Sequence, residues 1–234
     1  LGLSPLQKTL ALAPALLVGG VIAEAKSAEV QEVQEVQAAL HSPLSEDDRI
    51  QRWFSGDAAS SFVACMVGRA EGTRTKNCDR TSNWYGHADP GDKLWNLGSF
   101  SAAPDRFPGA SFSTPEDADR WYLKKRLKGH AQQLTQDAKR IGLTLTNSEL
   151  INGIDLANQS PAAALPNDGQ GYLWYLAKWR RYKIPEQERI IRARTNAFYD
   201  PSLGRYSATG LGSGSDIVRD QKRRVLAIAG VNIN

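Results

Sequence analysis

Apolar and polar residues alternate with a helical period through most of this chain, and the period fails in two places. Ser45-Glu46-Asp47-Asp48 has the form of a helix start, with acids in the first turn, and predicts a short helix through Phe54 that breaks near Ser55-Gly56. The next predicted helix runs from about Asp57 to Glu71 and carries the apolar stretch Phe62–Ala70. Thr114-Pro115-Glu116-Asp117 supplies an N-cap, a proline at the first helical position and acids behind it, opening a helix to about Ile141 that stops at Gly142. Thr146-Asn147-Ser148-Glu149 is a capping box before a helix over Leu150–Asn158. Further helices are expected over Tyr172–Tyr182, from Pro185 to about Phe198, and from Ser215-Asp216 onward.

The first failure is residues 72–113, dense in Gly, Pro, Asp, Asn and aromatic side chains. They predict loops and one short hairpin around Trp95–Ser101. The second is residues 29–37, which repeat Glu-Val-Gln three times. A period of three drifts around a helix and leaves no apolar stripe, so 29–44 reads as a polar spacer. Ahead of it, Lys8 precedes an uncharged apolar run from Leu10 to Ala23, then small residues to Ala28. That run, ~14 residues, suits a signal peptide and is short of the ~20 that cross a bilayer as a helix. Residues 1–28 are therefore expected to be an export signal or a retained N-terminal anchor. The fold class expected for 45–234 is mainly α, an α+β helical domain with one short β-hairpin and loop insertion near its start.

Composition fits a water-soluble body, with 41% hydrophobic and 23% charged residues among 234. The net charge of +4 is unevenly spread. Residues 29–71 are acid-rich, whereas the last sixty carry Lys178, Arg180, Arg181, Lys183, Arg189, Arg192 and further cations. Such a surface favours an anionic polymer, whether cell-wall glycan, lipid headgroups or nucleic acid, the alternative being a solvated set of helix faces. The two cysteines, Cys65 and Cys78, flank Glu71. In an oxidising compartment they are expected to bridge, closing a loop of about 14 residues worth on the order of 3 kcal/mol. Otherwise they are two thiols.

The candidate chemistry centres on Glu71, a carboxylate closing an apolar helical stretch immediately before Gly72. Splitting a glycosidic bond needs a carboxylic acid still protonated near neutral pH, and apolar surroundings favour that form. A second carboxylate or a water-positioning group must face it across the bond. Asp89 and Asp92 are the leading candidates, with Asp79 behind them, and Asn96 is placed to hold water. Trp84, Tyr85, His87 and Trp95 are candidates for lining sugar subsites. The alternatives are plain: an ion pair at a helix end for Glu71, turn chemistry for Asp89-Pro90-Gly91-Asp92, and core packing for the aromatic residues at 172–182. Asp155, mid-helix among apolar residues, needs a partner, and one of the arginines is the expected one.

Glu71-Gly72, then Asp89 with Gly91 or Asp92, then Asn96-Leu97-Gly98, resemble the helix, hairpin and turn of the lysozyme-like superfamily. That superfamily includes phage muramidases, lytic transglycosylases and chitosanases. The resemblance covers about residues 58–101. Asn96 stands where the family often has Thr, and no family motif follows residue 140. It implies an exported glycan-cleaving enzyme acting on peptidoglycan or a related amino-sugar polymer, periplasmic, lumenal or extracellular, with no cofactor and no metal. The competing expectation is a non-catalytic subunit, held to a membrane or larger assembly through residues 1–28. The sequence contains no recognisable nucleic-acid-binding module, no Gly-x-Ser-x-Gly elbow and no phosphate-cradling loop.

Overall fold

The computed structural model describes residues 45–166, 170–208 and 210–230. The expected leader at 1–28 and spacer at 29–44 lie outside the described residues. The body from Ser45 onward is mainly helical, with two small antiparallel sheets.

Helix α1 (Glu46–Trp53) begins where the Asp48 N–H donates to Ser45 Oγ at 3.1 Å, and it buries Ile50 and Trp53. The helix expected from Asp57 is two pieces. A 3-10 turn over Ala58–Ser60 precedes α2 (Phe62–Glu71), because Ser61 is extended and its hydroxyl accepts from the Ala64 N–H, starting the helix there. Helix α2 ends where Gly72 turns left-handed at φ 75° and the Thr73 N–H returns to the Gly68 carbonyl. This stop leaves the Glu71 side chain at the last helical position.

The expected hairpin is also displaced. After the one-turn helix α3 (Ser82–Tyr85), β1 (His87–Ala88) pairs with β2 (Trp95–Asn96), in register His87↔Asn96 and Ala88↔Trp95. Trp95–Asn96 therefore reaches back to 87–88 rather than forward to Ser101. The cause is local. Asp89 Oδ1 accepts the Gly91 and Asp92 N–H groups and nucleates a turn, while the Asp89 N–H donates to the Leu94 carbonyl. Leu97 and Ala102 close their own small bridge. The disulfide Cys65–Cys78, Cα atoms 5.1 Å apart, ties α2 to the loop that follows it.

Helix α4 (Pro115–Tyr122), capped by Thr114, runs through a π turn (Leu123–Leu127) into α5 (Lys128–Arg140). Helix α6 (Asn147–Gln159) follows, with the capping box in place: the Glu149 N–H donates to Thr146 Oγ1, and the Thr146 N–H to Glu149 Oε2. Residues 149–157 of α6 are buried without interruption, so this helix runs through the core, packed by α2, α5 and α7 (Pro161–Ala164). Gly153 permits that closeness: a Cβ there would fall 2.5 Å from Leu134 Cδ2 and 2.9 Å from Tyr172 Cε1. Helices α8 (Tyr172–Trp179) and α9 (Glu186–Asn196) pack on each other. A second hairpin, β3 (Tyr199–Asp200) with β4 (Arg205–Tyr206), leads to α10 (Gly214–Ala229), which lies against α2.

Candidate functional site

The apolar face of α2 is buried through Val63, Ala64, Val67 and Ala70, and this packing fixes the direction of the last turn. Glu71 emerges from it with its side chain 16% exposed. Its Oε1 accepts from Arg224 Nη2 at 2.6 Å and from Asn158 Nδ2 at 2.8 Å. Its Oε2 makes no hydrogen bond among the described residues. Neither Arg69 nor Arg74, the arginines nearest in sequence, pairs with it. Arg69 lies against Met66, and Arg74 turns to Ser99 and the Cys78 carbonyl.

Arg224 is shared. Its Nε and Nη2 also donate to Asp155 at 2.9 and 2.7 Å, and Arg194 Nη2 meets Asp155 from another side at 2.8 Å. Asp155 therefore has two arginine partners. Burial pushes its carboxyl up, but the two guanidiniums pull harder and hold it below the usual aspartate range. Burial disfavours the Arg224 cation, and Asp155 with Glu71 more than reverses this, leaving it well above the ordinary arginine value. Two arginines and two carboxylates thus form a compensated set beneath the Glu71 carboxyl. Tyr122 senses the same region: burial, and then the Glu71 charge, raise its hydroxyl to about 12, against the opposing pull of Arg126 and Arg106.

Arg106 organises the hairpin acids. Its Nη2 lies 3.0 Å from Asp89 Oδ2, and its Nε and Nη2 embrace Asp92 at 3.0 and 2.8 Å. Asn96 Nδ2 donates to Asp89 Oδ2 at 3.2 Å, leaving Asn96 Oδ1 buried without a partner. Asp89 is partly buried, which raises its carboxyl. Arg106, the Gly91 and Asp92 amides and Asn96 outweigh that, so it lies below the usual carboxylate range. The structure therefore gathers Asp89, Asp92 and Asn96 into one group, and Glu71 into another with Asn158 and Arg224. Asp79 belongs to neither and serves its own turn, where Thr75 donates to it. The hairpin turn meets the loop entering α10: a Cβ on Gly91 would stand 3.6 Å from Gly210 Cα.

Among the aromatic candidates, Trp84 is corrected. It is fully buried, with its indole N–H donating to Asp119 Oδ2 and Ser99 Oγ, both at 3.2 Å, and Arg80 stacked 3.8 Å from its ring centroid. It is the core of the 72–113 segment and presents no face to a sugar. Tyr85 and Trp95 are 63% and 57% exposed. His87 uses Nδ1 on the Asn83 carbonyl at 2.9 Å. No group of three His, Cys, Asp or Glu among the described residues fits a metal ion. Of the 172–182 aromatics, Tyr172 and Tyr175 are core. A groove of about 330 Å³ between Met66, Ile151, Ile190 and Val225 contains none of the candidate site residues.

Arg224, Asn158, Arg106 and Tyr122 were not found from the sequence. The first two reach Glu71 across 153 and 87 residues, and nothing local marks them. Only Asp155 gave a signal, as a mid-helix carboxylate demanding a cation. No family model matches the chain, and no curated protein or solved structure shows significant similarity to it.

Proposed function

We propose that this protein is an exported glycan-cleaving enzyme of lysozyme-like type, acting on peptidoglycan or a related amino-sugar polymer. The observation that carries this reading is the asymmetry at Glu71: one carboxylate oxygen is held by Arg224 and Asn158, and the other makes no hydrogen bond. A general acid needs a fixed carboxyl whose proton-bearing oxygen can reach the leaving group. In this reading Glu71 must carry a proton on Oε2 although the Arg224 ion pair favours the ionised form, and it gives that proton to the glycosidic oxygen as the bond from that oxygen to the anomeric carbon breaks. Asp89, held in its ionised form by Arg106, is assigned the part of stabilising the positive charge that grows on the sugar. Water adds to the anomeric carbon and loses a proton to Asp89, which Asn96 Nδ2 holds by a hydrogen bond at 3.2 Å, Asn96 Oδ1 itself being buried. Asp92, whose oxygens are occupied by Arg106 and the Leu94 N–H, positions the guanidinium. Tyr85 and Trp95 offer exposed rings for the chain of sugars. The disulfide suits an oxidising compartment.

The test is release of soluble fragments from purified peptidoglycan by wild type and by Glu71→Gln. The glutamine keeps an acceptor for Arg224 and Asn158 but has no acidic proton, so turnover should fall by roughly 10²–10⁴-fold with the fold retained. A second reading takes the 2.6 Å ion pair to Arg224 at face value. Glu71 is then a structural carboxylate in a non-catalytic body that serves a membrane or a larger assembly. That reading requires no release by wild type and a lowered melting temperature for Glu71→Gln.

A further inference from the structure

The end of α8 and the turn after it carry an exposed face that contains none of the residues of the proposed site. Trp174 and Tyr182 are 43% and 53% exposed, among the largest apolar side chains left open to water. Lys178, Arg181 and Lys183 are exposed between and beside them and form no ion pair among the described residues. The neighbouring carboxylates are already engaged. Glu149 is taken by Arg180 and Arg189, and Glu188 by Arg192. Over residues 172–192 there are six cations and two carboxylates, so a positive excess equal to the whole chain's formal +4 is concentrated on this one stretch.

We propose that this face, formed by Trp174, Lys178, Arg181, Tyr182 and Lys183, docks on an anionic phospholipid surface. Charge complementarity supplies the attraction, because juxtamembrane cations are drawn to anionic headgroups. The rings narrow the choice of partner. A phosphate polymer would account for the cations and leave two exposed aromatic side chains without a role. At the headgroup level, an indole or phenol can bury its apolar body while its N–H or O–H stays wet, and lysine stems can reach outward. Stacking on nucleobases or sugars needs free ring faces. Here Lys178 Nζ sits 5.3 Å from the Trp174 centroid, and the Tyr182 ring packs on Trp179 with centroids 5.3 Å apart. No helix among the described residues is long and apolar enough to cross a membrane.

The face lies towards the N-terminal end of α6, where Arg180 grips Glu149, while Glu71 is held by Asn158 near that helix's C-terminal end. Nine residues of helix, about 13 Å of rise, separate the two positions. Docking through α8 therefore leaves Glu71 at the other end of the core helix, so lipid binding does not depend on whether Glu71 is catalytic.

The experiment is co-sedimentation of the full chain with phosphatidylcholine vesicles, with and without phosphatidylglycerol. Wild type should bind the phosphatidylglycerol vesicles more tightly, and added salt should weaken that binding. Replacing Lys178, Arg181 and Lys183 together by Gln should weaken it by about fivefold per cation, on the order of 100-fold in all. Because these side chains make no ion pairs, the melting temperature should not move. Trp174→Ser with Tyr182→Ser should lower vesicle affinity while leaving any binding to inorganic polyphosphate unchanged. Glu71→Gln should bind vesicles as wild type does. Equal vesicle binding by wild type and the triple-Gln variant would overturn the proposal, as would capture by polyphosphate without capture by vesicles.

Discussion

Arg224 holds two carboxylates that lie 84 positions apart in the chain, Glu71 and Asp155, and the protonation of Asp155 links this site to stability. Asp155 is fully buried between Arg224 and Arg194. Replacing it by Asn leaves Arg194 buried without a carboxylate and Arg224 with Glu71 alone, and removing one partner from such a set costs about 3–5 kcal/mol. Urea unfolding of Asp155→Asn should show that loss at neutral pH. The sign with pH follows from the shifts. The folded carboxyl of Asp155 lies below its ordinary value, so its contribution is present above that value and disappears as pH falls through the depressed one. Asp119 behaves oppositely. Burial raises it to about 6, against the pull of Ser99, Trp84 and Arg74. The stability it contributes is present below 3.8 and lost as pH rises through about 6. Relative to a non-titrating Asp119→Asn reference, wild type should therefore lose roughly 3 kcal/mol between those limits. Thermal melts of both proteins across that range measure it, and a constant gap would contradict the assignment.

At the scale of elements, what could be read in the chain was what is decided within a turn or two. Ser45, Thr114-Pro115 and the Thr146/Glu149 box begin helices where their hydroxyls meet backbone N–H groups three residues on, and each interaction is complete within its own segment. The same logic at Ser61 was hidden by the apolar run around it, and at Ser213 by Ser215 two residues later. Trp84 could not be placed from the sequence. It stands in a polar, turn-rich stretch that looks solvent-facing, and its indole N–H is taken into the core by Ser99 and Asp119, 15 and 35 residues on. Helix α6 shows how tertiary packing then overrides propensity. Gly153→Ala would favour a helix by about 1 kcal/mol in isolation. Its Cβ would meet Leu134, and also the Tyr172 ring, which is fixed by its own hydrogen bond to the Glu149 carbonyl. Overpacking of this kind costs about 1–3 kcal/mol, so the substitution should be net destabilising, read as a lower denaturation midpoint with unchanged slope.

At the scale of the molecule, the two halves of the candidate site are each built from distant parts of the chain. Glu71 was visible because an apolar run ends on it, and Asp89 and Asp92 because of their turn. Their arginines come from the 104–106 turn and from α10, where a single cation among many gives no sign of its target. Between these parts runs the loop after Gly72, held in two independent ways. The disulfide joins Cys78 to α2, and Arg74 donates to the Ala59 and Cys78 carbonyls and to Ser99 Oγ. The covalent tie acts mainly by restricting the unfolded chain, whereas the Arg74 contacts define where the loop lies in the folded one. Replacing Cys65 by Ala and Cys78 by Ser should therefore lower stability by about 3 kcal/mol while leaving the loop and the Glu71 site in place. Calorimetry of the double variant should show a lower melting temperature. Well below that temperature, the near-ultraviolet signal of buried Trp84 and any peptidoglycan turnover should match wild type. A variant that keeps its melting temperature but loses turnover would instead assign the bridge a direct part in shaping the site.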